Sequence, residues 1–245
     1  LGISDADRQW IITAYTLAFG GLLLLGGRIA DYQGRKRMFM IGLSGFALAS
    51  LFGGLATSAN MLYAARALQG VFGALLAPAA LALITVTFVD SKERAKAFGV
   101  FGAISGGGAA IGLVLGGILT QYLSWHWCLL VNVPIAVIAV LLAWRNVHES
   151  RATGDTRYDV PGAIVATLGL VSLVYGITQA QTKGWNGSTT LTFMGLGVLL
   201  LLVFLVIESR STHPLLPLRI LKNRNRGGAY LAGFFTGVGM FAMFL

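Results

Sequence analysis

The sequence predicts an all-α integral membrane protein with about eight transmembrane spans, and three observations carry that prediction. Of 245 residues, 56% are hydrophobic and only 11% charged, and the mean hydropathy is +0.76; soluble domains carry roughly 25% charged residues. Apolar runs long enough to cross a bilayer recur along the chain. The basic residues fall almost entirely in alternate links between those runs.

A span needs about 20 mostly apolar residues. Such runs lie near 9–29, 38–57, 62–88, 97–120, 128–144, 160–180 and 189–207, and an eighth covers 229–245. None alternates with the two-residue period of a barrel strand, so helices are expected throughout. The 33 glycines suit helices that pack closely inside a membrane. Composition excludes a disulfide scaffold, because Cys128 is the single cysteine. It also excludes an ordinary soluble enzyme.

Orientation follows from Lys and Arg. The links at 28–37, 92–96, 145–157 and 210–226 hold fifteen of the 18, which places them in the cytoplasm. The opposite links hold only Arg8 and Lys183, and Arg66 lies within a span. Most of the net charge of +9 is thus a topology signal rather than a nucleic-acid-binding surface. Trp10, Trp125, Trp127 and Trp185 mark the outer boundary and Trp144 the inner one. A chain opening on LGIS outside the membrane is expected to be a piece of a larger protein, non-functional when isolated.

An internal repeat is visible at an offset of 90 residues. Leu25 to Arg37 reads LGGRIADYQGRKR, and Leu115 to Trp127 reads LGGILTQYLSWHW. Three spans separate the copies, so one runs inward and the other outward. Inverted three-helix repeats of this kind build secondary transporters.

Three constellations carry candidate function. The first is the cytoplasmic turn Gly27, Asp31, Gly34, Arg35, Lys36 and Arg37. A plain positive-inside turn needs the cations but neither the spaced glycines nor the carboxylate. The second is Arg66 with Gln69 and Gly70, a cation inside a span, where charge is expensive and functional by default. Gly70, Ala74 and Pro78 follow Arg66 at four-residue steps and share a face, a smooth strip against which another helix can pack. The competing expectation is that Arg66 snorkels to the outer headgroups. The third is the helix carrying Gly108, Gly112, Gly116 and Gly117, a doubled small-residue motif expected to form a close-packed hinge.

These stretches resemble the major facilitator superfamily. GRIADYQGRK is similar to the G-x-L-a-D-r-x-G-r-k signature between its second and third helices, with Ile29 for Leu and Tyr32 for Arg. RALQG is similar to the fourth-helix signature, for which the resemblance implies proton coupling. GAAIGLVLGG is similar to the antiporter signature of the fifth helix, with Leu113 in place of a proline that would kink it. WHWCLLVNVPIAV, LVYGITQAQTKGWNG and HPLLPLRILKNRN resemble the fourteen-helix drug:proton antiporter branch.

The resemblance implies helices two to six within 1–144, a cytoplasmic loop at 145–159, the extra helix pair at 160–207, a second loop at 208–228 and the start of a second bundle at 229–245. It further implies a monomer in the plasma or inner membrane that exports amphipathic small molecules, cationic or aromatic, in exchange for protons. No cofactor is expected beyond the proton gradient. The alternatives are a facilitator that imports a sugar or organic anion, with Arg66 binding the anion, and a membrane-embedded transferase. The transferase would need an acidic or His/Asp pair at one membrane face, and the sequence offers none. All nine acids lie in loops or at span ends, so the coupling acid is expected on a first helix that the sequence does not contain. His126, His148 and His213 form no ligand set, and a P-loop, an HExxH motif and a nucleophile elbow are all missing.

Overall fold

The computed structural model describes residues 1–3, 5–152, 159–211, 214–215 and 224–244. Its described residues form nine helices and no strand: α1 Asp5–Gln33, α2 Arg35–Gly54, α3 Ala59–Thr87, α4 Ser91–Tyr122, α5 His126–Leu130, α6 Asn132–Asn146, α7 Val160–Lys183, α8 Ser188–Arg210 and α9 Arg224–Phe244. Seven segments are long and apolar enough to cross a membrane, with α5 and α6 together making one of them. The helices overrun the apolar runs by several residues at most ends. The 29 residues of α1 and of α3 each extend about 44 Å at 1.5 Å per residue, beyond a hydrocarbon core of about 30 Å. The eighth apolar run falls on α9.

Prolines account for two local features. Pro134 lies in the first turn of α6 and has no amide to offer the Leu130 carbonyl, so one helical bond is missing there, although Val131 keeps helical dihedrals (φ −60°, ψ −24°) and its amide still donates to the Trp127 carbonyl at 3.0 Å. Beside it, Asn132 Nδ2 donates to the Leu129 carbonyl at 3.1 Å and to that of Cys128 at 3.4 Å. Pro78, inside α3, likewise frees the carbonyl of Ala74. At that carbonyl α1 places Gly26, where any Cβ would overlap the Ala74 oxygen.

A tight group of α1, α2 and α3 forms the centre, with α5 and α6 laid against α2. Small residues set the spacing. Cβ atoms at Gly42 and Gly70 would strike the backbone of the facing helix, and one at Gly45 would strike the Phe72 ring. Such close approach maximises dispersion contact where no hydrophobic effect acts between helices. The pair α7–α8 packs on itself at Gly176 and Gly197, and α7 packs on α1. By contrast none of the residues of α4 is buried, and it meets the rest only near its ends, against α3 and α5.

The links at 34, 144–152 and 214 gather at one end of the helices, as the charge pattern requires. There the Arg35 amide donates to the Ser150 carbonyl at 3.0 Å, the Ala152 amide to that of Asp31 at 2.7 Å, and Lys36 Nζ to that of Trp144 at 2.8 Å. Trp125 lines a cavity with Leu1 and Arg8 at the opposite end.

Candidate functional site: a buried arginine relay and a capped basic turn

Arg66 sits in the N-terminal half of α3 and points at α1 rather than along its own helix toward its N-terminal end. Its Nε donates to the Ile11 carbonyl at 2.9 Å, using the lone pair that the α-helical ladder of α1 leaves free. The guanidinium carbon lies 4.7 Å from the centroid of the Tyr15 ring, a cation–π arrangement. Nη1 donates to Gln69 Oε1 at 2.7 Å, Gln69 Nε2 donates to Ser50 Oγ at 2.6 Å, and Ser50 Oγ donates to the Phe46 carbonyl at 2.8 Å. Gln69 is 1% exposed and Ser50 fully buried, so the Gln69–Ser50 half of the relay is shut off from water while Arg66 at its head is partly buried.

The smooth strip expected beside Arg66 exists, and α1 packs on it. A Cβ at Gly70 would overlap the Tyr15 carbonyl and lie 2.8 Å from the Ala18 Cβ. Gly70 is therefore what lets α1 come near enough for Ile11 and Tyr15 to receive the guanidinium. Arg66 also borders a cavity of about 700 Å³ at the end of the helices away from the basic turn, shared with Arg8, Ile11, Leu62, Trp125 and Cys128. Among the described residues its wall is mostly apolar, with two cations and no carboxylate. A snorkelling side chain would leave this relay unmade.

The basic turn lies at the other end. Gly34 has φ +121°, a conformation that a side chain would strain, and it sets the reversal between α1 and α2. Arg35 Nε and Nη2 both reach Asp31 Oδ1, at 2.9 and 2.8 Å. Gly27 meets Pro78 only at ordinary distance, 3.5 Å, and the close approach of α1 to α3 here is made by its neighbour Gly26. Among the described residues this turn holds one ion pair, Asp31–Arg35.

What the sequence did not reveal is Glu149, from the segment after α6. It stands where a side chain at Gly34 would be, accepting the amides of Lys36 at 3.1 Å and Arg37 at 3.0 Å. It thereby caps α2, whose own N-cap residue Gly34 has no side chain to do so. A carboxylate there also meets the positive end of the helix dipole. The sequence does not single it out, since the loop 145–159 holds Asp155 and Asp159 as well as Glu149. A similar cap begins α4, where Asp90 accepts the amides of Glu93 and Lys92. Those bonds hold its carboxyl below the usual aspartate range.

The glycine helix differs from expectation. Gly108, Gly112, Gly116 and Gly117 have nothing within 4 Å of where a Cβ would stand. Among the described residues no helix is seated on that face, because α4 touches its neighbours only near its ends. Its C-terminal end leans on α5 through Cys128, whose Sγ lies 3.6 Å from the Gly116 carbonyl and 3.4 Å from Thr120 Oγ1. The repeat is thus unequal in packing: a Cβ at Gly26 would strike α3, while one at its counterpart Gly116 would meet open space. Arg157, Arg219 and Lys222, counted for topology, lie outside the described residues, as does His213.

These features describe a multi-pass helical membrane protein with an arginine inside one span and a basic turn built on a glycine at one end. Residues 1–245 match the family described as the Major Facilitator Superfamily, and the chain belongs to it. It is 53% identical over 246 residues to the puromycin resistance protein pur8 of Streptomyces alboniger, covering 100% of this chain and 48% of that protein. To the cephamycin export protein CmcT of Amycolatopsis lactamdurans it is 43% identical over 97% of this chain and 49% of the relative. To the multidrug transporter protein MdtP of Bacillus subtilis it is 34% identical over 95% and 43%. The chain spans about half the length of the curated relatives it matches.

Proposed function

We propose that this chain forms part of a secondary transporter that exports amphipathic small molecules in exchange for protons. Alternating access of two helical bundles would carry the substrate across. The observation that carries the reading is the relay Ile11–Arg66–Gln69–Ser50, a membrane-embedded cation bordering a cavity that an amphipathic molecule can enter. A fixed positive charge beside a cavity favours deprotonation of any acid brought near it, and so biases proton release. The relatives support the class of cargo, since three of them are named for puromycin resistance, cephamycin export and multidrug transport.

In this reading the turn at Gly34, with Asp31, Arg35, Lys36 and Arg37, is the cytoplasmic latch. Glu149 keeps its second helix capped. Gly108, Gly112, Gly116 and Gly117 offer a surface for close helix contact in the moving parts of the cycle. The protein sits as a monomer in the cell membrane with its basic links in the cytoplasm. It moves its substrate without chemical change, the proton gradient supplying the energy.

Uptake of labelled substrate into inside-out vesicles holding the intact protein tests this. An imposed acid interior should drive accumulation, and Arg66→Lys should insert normally yet lose the coupled part, because Lys lacks the planar fork that serves Ile11 and Gln69 together. Uptake in the opposite sense, with the proton gradient, would support an importer instead.

A further inference from the structure

The helix pair α7–α8 meets α1 along most of its length. Near the outer end the rings of Trp10 and Tyr175 lie 6.1 Å apart, and Tyr175 in turn packs edge-on against Phe193 of α8 at 4.6 Å. Midway, Thr167 Oγ1 lies 2.8 Å from the carbonyl of Gly21 and equally 2.8 Å from that of Ala163 in its own helix, so one proton is shared across the interface. Gly21 has no side chain where a Cβ would stand 2.9 Å from Thr167 Cγ2. At the inner end, Arg28 Nη2 donates to the carbonyl of Pro214, just beyond α8. The same short segment is held to α8 by the Leu215 amide, which donates to Glu208 Oε1 at 3.0 Å, and both residues are buried. Between the outer and middle contacts the two helices part slightly around a cleft of about 190 Å³ bordered by Thr13, Gly20 and Val174.

Contacts at three heights restrain both sliding and tilting, whereas one contact would act as a pivot. The inner one is made by Arg28, which occupies a variable position of the turn signature, so the chain beyond α8 is attached to the latch helix itself. Resting on the transport reading above, we infer that α7–α8 is a brace fixed to α1 that travels with it through the cycle, with Thr167 as a positioning residue.

Paired cysteines at the cleft test the brace: Thr13→Cys with Val174→Cys, in the intact protein carrying Cys128→Ser. A short, cleavable bifunctional thiol reagent should link them to completion at acid and neutral pH alike, and the linked protein should transport at the unlinked rate. A yield that changes with pH, or transport that stops on linking and returns on cleavage, would overturn the brace. The yield decides the matter even where the unlinked protein does not transport, and that last result would count against the transport reading alone. Thr167→Val, which keeps shape and loses the hydroxyl, should lower the transport rate about threefold at unchanged half-saturation, the size of one interhelical hydrogen bond in a membrane. Thr167→Ser should restore it. A wild-type rate in Thr167→Val would remove Thr167 from the positioning role.

Discussion

The carboxylate of Glu149 fills the space that a side chain at Gly34 would need, its Oε2 lying 2.7 Å from where a Cβ would stand. The two residues are 115 positions apart and together make the start of α2: one supplies the turn, the other the cap. Glu149→Ala should therefore lower stability by about 1 kcal/mol, the usual worth of a lost cap, and Glu149→Gln by less. Gly34→Ala adds backbone strain at φ +121° to the collision and should cost more than either. Thermal unfolding in detergent micelles ranks the three.

Gln69 is the buried hinge of the relay, receiving from Arg66 and giving to Ser50. Gln69→Leu leaves a guanidinium N–H without its acceptor inside the membrane and should cost about 1–3 kcal/mol. Gln69→Glu keeps an acceptor for Arg66, so its loss should be smaller despite the added charge. The midpoint temperature of the purified variants gives the order.

Glycines of similar sequence context should respond in opposite ways. Gly70→Ala forces α1 away from α3 and breaks the approach of Ile11 to Arg66, an overpacking cost of about 1–3 kcal/mol. Gly112→Ala meets open space and should leave the stability of this chain unchanged or slightly raised, since Ala favours helix. Paired melting curves of the two variants make the comparison, and equal losses would refute the packing described for α1 and α3.

Acid should loosen the start of α4. The Asp90 carboxyl, held below its usual range by the amides of Glu93 and Lys92, contributes stability that is present above the unfolded aspartate value of about 3.9. That contribution is lost as pH falls through the lower folded value. Amide exchange at Lys92 and Glu93 should accelerate across that acid window, and Asp90→Asn, a cap that does not titrate, should abolish the acceleration.

The spans, the gathering of basic links at one end, the Arg66–Gln69 pair and the strip through Gly70 were all legible in the sequence. Each is local: helical periodicity places Gln69 and Gly70 one turn from Arg66, and hydropathy needs no partner. Glu149, Ser50 and the Ile11 carbonyl were not legible, because each reaches its partner from another helix or link, 19 to 113 residues away. The missing helical bond at the Leu130 carbonyl follows from Pro134, and the apolar run passes through it without change. The glycines of α4 show the limit of motif reading: spacing tells that a helix can be approached closely, and only neighbours tell whether it is.

The central claim, that a proton gradient drives export through a pathway bordered by Arg66, is tested most directly by labelled substrate in inside-out vesicles of the intact protein. With an acid interior the wild type should accumulate substrate, a protonophore should abolish the accumulation, and Arg66→Lys should show neither effect while reaching the membrane in equal amount. Accumulation that is indifferent to the protonophore, or undiminished in Arg66→Lys, would contradict the claim.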